Sequence, residues 1–283
     1  MNRRIKQAFL ILAALTAAGL SAQTVPAEKQ TLIIDYFAGG RNVPFACVEQ
    51  VRRGVIKAFV HRGRHRVVDA ATVQDLYLAA SGMTAHPWSA PEDYREQRAR
   101  SIRALGARYV VTGLVTDGSP EAKGKDRSPG QVDLALSVYD LQTGELIDTE
   151  SWPLPFQGDT PQKADEELQR QLSVRMRFFI DRYFKFETDV LRLEAPNAKG
   201  KYKELYLRCG SAMGVCNGDL FKIYRRYDLA GETAEQLVGK VRAREVCGEY
   251  VTRCTISSGG EAIARALSQG DTLVAVSDGQ ALF

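Results

Sequence analysis

Apolar positions along this chain follow two different rhythms, and the change falls near Phe186. Before it, short apolar runs alternate with stretches of helical spacing. Thr31 to Ala38 is a mainly apolar run closed by Gly39-Gly40, which predicts a buried strand. Pro44 stands where a helix would open; Val48, Val51, Val55 and Phe59 then recur at helical intervals until Gly63. Arg66 to Asp69 predicts a second short strand, and Thr72 to Ala80 a helix. Ser89-Ala90-Pro91-Glu92 has the form of a capping box with proline in the first turn, opening a helix that ends at Gly106. Ala107 to Val115 predicts another buried strand, and the polar stretch Asp117 to Gln131 an exposed loop. Val132 to Asp140 alternates with period two, turns at Gln142-Thr143-Gly144, and returns from Glu145 to Leu154 as a hairpin. Thr160-Pro161 opens a long helix whose apolar face is Ala164, Leu168, Leu172, Met176, Phe179, Ile180 and Tyr183.

Beyond Phe186 long helical periodicity stops. Six short runs read as strands: Asp189–Glu194, Glu204–Cys209, Leu220–Tyr224, Leu237–Val246, Arg253–Ser257 and Thr272–Val276. So many strands in under 100 residues predict a small closed or nearly closed barrel, with Glu261 to Leu267 as a plug of helix. The expected fold class is α+β: a mixed-sheet α/β sandwich over 31–185, then a β-barrel over 186–283. Gly218-Asp219 and Gly270-Asp271 each precede a strand and read as turn chemistry.

Charge and compartment come from the first residues. Arg3, Arg4 and Lys6 precede a 13-residue apolar run, Ala8 to Leu20, and Ser21-Ala22 offers a small-residue cleavage site. A bilayer span needs roughly 20 residues, so residues 1–22 read as a secretory signal peptide and 23–30 as a polar lead-in. No cysteine stands at the cleavage point, which closes the lipoprotein route. Removing the leader leaves 35 basic against 34 acidic side chains, so the basic excess belongs to the targeting segment. A nucleic-acid partner, which normally needs a clustered basic face, is not expected. The expected location is periplasmic or otherwise exported.

Five cysteines are present, Cys47, Cys209, Cys216, Cys247 and Cys254, the last four as two pairs with six intervening residues each. In an oxidising compartment this clustering reads as disulfides. Three pairings are open, with the local ones, Cys209–Cys216 and Cys247–Cys254, favoured; free thiols and a metal site are the alternatives, the spacing being long for zinc. Cys47 reads as a buried free thiol on the first helix.

The phrase from Leu105 to Gly113, followed by Val138 to Gly144 and preceded by Arg66 to Val73, resembles the CsgG family of curli-secretion proteins and the amino-terminal domain of TolB translocation proteins. The stretches Gly210 to Tyr224, Val238 to Val241 and Gly270 to Val274 resemble the carboxy-terminal barrel of the flagellar protein FlgT. The resemblance implies a cell-envelope assembly or secretion component without catalytic residues. The acylated cysteine of curli-secretion proteins is missing, and Gly118 to Gly130 is too charged and proline-rich to supply membrane-spanning strands of about 9–11 alternating residues. The resemblance therefore implies a periplasmic scaffold without the pore, with peripheral outer-membrane association.

Catalytic chemistry finds little footing. The three histidines are His61, His65 and His86; His61 and His65 are separated by Gly63 and flanked by Arg62, Arg64 and Arg66, which predicts a solvated basic turn, not a metal site. Ser81-Gly82 and Ser257-Ser258-Gly259-Gly260 lack a nucleophile elbow and a downstream histidine. Gly39 to Asn42 lacks the lysine and hydroxyl of a phosphate-cradling loop. No cofactor or metal is expected. Trp88, Arg175, Arg177 and Arg182 are the candidate contact residues, for envelope proteins or a second copy. The expected function is non-catalytic scaffolding, with an envelope-polymer hydrolase or a solute-binding module as rivals.

Overall fold

A computed structural model describes residues 29–41, 43–74, 76, 92–119 and 130–280. The leader, His86, Trp88, the capping box up to Pro91, most of the helix expected to end at Ala80 and the centre of the 117–131 stretch lie outside the described residues.

The first sheet is built on β1 (Thr31–Gly39), whose side chains from Leu32 to Ile34 are fully buried. Helix α1 (Phe45–Arg62) follows Pro44 and stops at Gly63, which adopts the left-handed conformation (φ 68°). Strand β2 (Arg66–Asp69), helix α2 (Glu92–Ala104) and the hairpins of β3 (Ala107–Ser119), β4 (Gly130–Asp140) and β5 (Glu145–Phe156) complete the sheet, in the order β2-β1-β3-β4-β5. Both neighbours of β1 run parallel to it, and β3, β4 and β5 are antiparallel. Strands β3 and β4 run deeper into the expected loop than their apolar content suggests, because ladder pairing continues to Ser119 opposite Gln131 past a bulge at Val115/Asp117.

The long helix α3 (Pro161–Tyr183) begins at Thr160, whose hydroxyl accepts the Lys163 N–H at 3.3 Å. The expected apolar face is buried from Ala164 to Ile180. With α1 it covers one face of the sheet, around Leu134, Leu136, Val138 and Leu154. Gly54 is the crossing point: a Cβ there would lie 2.5 Å from Leu172 Cδ2. A smaller cluster of Ile33, Ala70, Leu76, Ile102 and Val110 lies apart from this core. β5 is an edge strand. Pro153 and Pro155 offer no N–H and share the alternate set of Thr149, whose N–H goes to Asp148 Oδ1 at 2.7 Å. The free edge is thereby poor in donors for another strand.

The second unit is a closed barrel in the order β10-β7-β6-β11-β8-β9. Its strands are β6 (Glu187–Leu193), β7 (Glu204–Leu207), β8 (Asp219–Leu229), β9 (Glu232–Val246), β10 (Thr252–Ser258) and β11 (Thr272–Gln280), with α4 (Gly260–Ser268) before the last. Alternate residues such as Leu205, Phe221, Ile223, Val241, Cys254 and Ala275 fill the interior, and Ile263 of α4 seals against Gly239. The expected six strands are present, so the fold is α+β with a small barrel. β8 and β9 are longer than expected, joined by a turn at Ala230-Gly231 (φ 58° and 87°) into a hairpin that extends through a charged segment.

Candidate functional site

Sheet and barrel meet at a buried ionic joint that begins at the last residue of α1. Arg62 Nε donates to Asp181 Oδ1 on α3 at 3.0 Å. Its Nη2 donates to both carboxylate oxygens of Asp219, at the head of β8, at 3.1 Å each, and Nη1 to the Gly214 carbonyl at 2.8 Å. Arg64 adds an Nη2 contact of 2.9 Å to Asp181, a bond from Nη1 to the Phe184 carbonyl at 3.3 Å, and its guanidinium carbon 5.4 Å from the Phe186 ring centre. Asp219 also accepts the Cys216 N–H at 3.1 Å. Two arginines and two aspartates are thus removed from water together, and their charges balance.

Backbone geometry makes the approach possible. Gly214 has φ 68°, and a Cβ on it would lie 2.2 Å from the Arg62 carbonyl. Only glycine accepts both the conformation and the contact. The chain then crosses from α3 to the barrel through Phe186, which exchanges hydrogen bonds of 3.0 Å with Ser277 of β11.

The joint sets the charge states around it. Burial opposes the charge on Arg62, but Asp219 and Asp181 outweigh it and raise its pKa. Burial, then the neighbouring Arg62, lower Arg64 to about 10. His65 has its ring centre 4.7 Å from Phe184, 6.0 Å from Tyr109 and 6.3 Å from Phe59. Burial there, helped by Arg64, lowers it to about 4, so it is neutral at physiological pH. The solvated basic turn expected over 61–66 is therefore corrected: Arg62 and Arg64 are 8 % and 7 % exposed and turn inward to aspartates. The turn expected at Gly218-Asp219 is present, with Gly218 at φ 95° and the Asp219 N–H donating to the Cys216 carbonyl at 3.1 Å, but the Asp219 carboxylate is also buried and bound by Arg62.

A second ionic cluster lies where α1 crosses β1. Arg52, 1 % exposed, donates to the Asp35 carbonyl at 2.8 Å and to Asp69, and contacts Glu49 at 3.2 Å. Arg98 of α2 pairs with the Asp35 carboxylate. Both guanidinium groups stand near the Tyr36 ring, at 5.3 and 5.6 Å. These groups too are closed on each other. A surface hollow of ≈ 460 Å³ between α1 and α3 has polar side chains in its lining that are paired with one another: Gln50 bonds Asp165 and Gln169 bonds the Gln50 carbonyl at 3.3 Å, with Arg53 and Lys57 at the border.

The sequence-predicted residues lie elsewhere. Cys209 and Cys254 are buried in the barrel, Cys216 and Cys247 are exposed, and all are free thiols; Cys47 is half-buried. Burial lifts the Cys209 thiol to about 12 and raises Cys254 as well. Cys209 and Cys216 flank a turn closed by the Val215 N–H to the Gly210 carbonyl at 3.1 Å. Cys254 stands opposite Ala243, not Cys247. Arg175 is exposed on α3; Arg177 donates to Gln280 Oε1 at 3.4 Å, and Arg182 pairs with Glu150. None reaches the joint. Among the described residues no three His, Cys, Asp or Glu gather as a metal site, and no helix is long and apolar enough to cross a membrane.

No family model and no curated protein matches the chain. Among solved structures, the PelC dodecamer from Paraburkholderia phytofirmans is similar over 52 % of this chain and 86 % of that chain, at 15 % identity and a TM-score of 0.35. Lipoprotein GNA1162 from Neisseria meningitidis matches 54 % of this chain and 99 % of its own, at 14 % identity and a TM-score of 0.38. The LpoB C-terminal domain from Escherichia coli matches 47 % and 87 %, at 20 % identity and 0.30. At these scores the likeness carries no argument about function.

Proposed function

We propose that the protein is exported and acts in the cell envelope as a non-catalytic scaffold that works through protein–protein contacts. The observation that carries this reading is the joint, in which Arg62 binds Asp181 on one side and Asp219 on the other. It turns a helix-covered sheet and a barrel into a body with a fixed relative orientation, which is what a docking part requires. A hydrolase needs an accessible nucleophile or acid beside a base. Here each ionic cluster pairs its charges internally, and the half-buried His65 packs edge-on against aromatic rings.

The leader supports the envelope location, and the CsgG-, TolB- and FlgT-like phrases support an assembly or secretion role. Within this reading the two units divide at 185/186, Arg175 and Arg182 belong to a contact face, and Cys209–Cys216 forms a disulfide. In-cell cross-linking of the tagged protein, repeated with purified components, tests the function. The expected result is a defined envelope protein that binds again in isolation. Turnover of an envelope polymer or small molecule by the purified protein, abolished by one side-chain replacement, overturns it.

A further inference from the structure

In the six-strand ring β10-β7-β6-β11-β8-β9, β7 and β8 are three places apart and so stand on opposite sides of the barrel. The two sides carry different chemistry. On the β8 side, pairing with β11 ends at Thr272 opposite Arg226, and pairing of β9 with β10 ends at Lys240. The hairpin between them pairs only with itself, Tyr227 with Ala234 and Leu229 with Glu232, and projects as an arm. Leu229 at its tip is 62 % exposed and Tyr227 37 %. The arm's arginines are already engaged, Arg226 between Glu187 and Glu235 at 2.6 Å each and Arg225 with Asp271 at 2.7 Å. The tip's remaining charge, Asp228 and Glu232, is negative.

On the β7 side, Glu245, Arg253, Tyr206 and Arg192 form one row across four strands. The Arg192 guanidinium lies 4.5 Å from the Tyr206 ring centre. The turn leading into this row carries Lys199, Lys201 and Lys203, all exposed and outside any ion pair among the described residues. An aromatic platform bordered by unpaired cations faces one way; apolar side chains face the other, between Glu232 and Asp228. The Asp228 carboxylate accepts the Gly231 N–H at 3.1 Å and, like Glu232, is in no ion pair among the described residues.

We propose that the arm of one copy docks on the β7 face of a second copy, Tyr227 and Leu229 against Tyr206, and Asp228 and Glu232 against the lysine turn. The inference rests on the scaffold reading and names one partner for it, this chain itself. Because the two surfaces are different and on opposite sides, the contact is head to tail and repeats into a ring or filament. The β5 edge, blunted by Pro153 and Pro155, is not the route.

The test is light scattering on the purified exported protein and two double variants, Lys203→Glu/Tyr206→Ala on the platform and Leu229→Asp/Glu232→Lys on the arm, each checked for unchanged circular dichroism. The wild type is expected above one protomer at ~0.05 M salt and to disperse by ~0.5 M, as screening shortens. Each variant alone is expected to be monomeric. Mixed together they are expected to give a one-to-one dimer and nothing larger, since one intact arm meets one intact platform. A wild type that stays monomeric at ~100 μM, variants that associate like the wild type, or a mixture that stays monomeric overturns the inference. A monomer that still binds its cross-linked envelope partner removes this contact and leaves the scaffold reading standing.

Discussion

Arg62 and Asp219 are 157 positions apart in sequence, yet both carboxylate oxygens of the aspartate lie 3.1 Å from one nitrogen of the arginine. One residue ends a helix on the sheet and the other begins a barrel strand. Both are nearly sealed from water, at 8 % and 1 % exposed. Removing one partner leaves the other charged, buried and unpaired, a cost of about 3–5 kcal/mol.

Arg62→Ala is therefore expected to destabilise the protein by about that amount in urea unfolding. It should also split a single transition into two, as the barrel loses its hold on the sheet, and open the 184–187 crossing to limited proteolysis. The double variant Arg62→Met/Asp219→Asn should recover part of the loss. Additive losses in the double variant would show that the two residues are not coupled.

Much of the fold is legible in the sequence because burial leaves a periodic trace. The α3 face and the strand pattern of β1 could be read from apolar spacing alone. The joint could not. Arg62 and Asp219 look like surface residues in sequence, one in a run of cations and one in a glycine turn. Their burial follows from long-range packing and leaves no local period. A weaker signal existed: Gly63 and Gly214, both with φ 68°, mark the two backbones that approach there. The arm was missed for the opposite reason, since its strands are exposed and charged and carry no apolar face. The expected strand stops at Leu154, before Pro155, whereas the observed edge strand tolerates both Pro153 and Pro155 and runs to Phe156.

The cysteines give a second prediction. Cys209 and Cys216 flank the turn closed between Gly210 and Val215, Cys209 buried and Cys216 exposed, and an oxidising compartment favours pairing of cysteines so close in sequence. Protein taken from an oxidising compartment is expected to gain two hydrogens in intact mass on reduction, with peptide mapping placing the bond at Cys209–Cys216. Full alkylation of both cysteines without reductant would eliminate that bond.

The third prediction concerns acid. Phe59, Tyr109 and Phe184 surround His65, Arg64 lies beside it, and its pKa falls from 6.5 to about 4 on folding. The unfolded chain therefore binds a proton here between these values and the folded protein does not. Stability is unaffected by this group above about pH 6.5 and falls as pH drops toward 4, by about 3 kcal/mol in total. Asp35, whose pKa burial raises against the pull of Arg98, contributes with the opposite sign, so the comparison must be with a variant that keeps it. His65→Phe preserves an aromatic ring and removes the titration. Urea unfolding of both proteins from pH 7 to pH 4 is expected to show a steeper acid loss in the wild type. Parallel curves would mean that the histidine is hydrated and titrates normally.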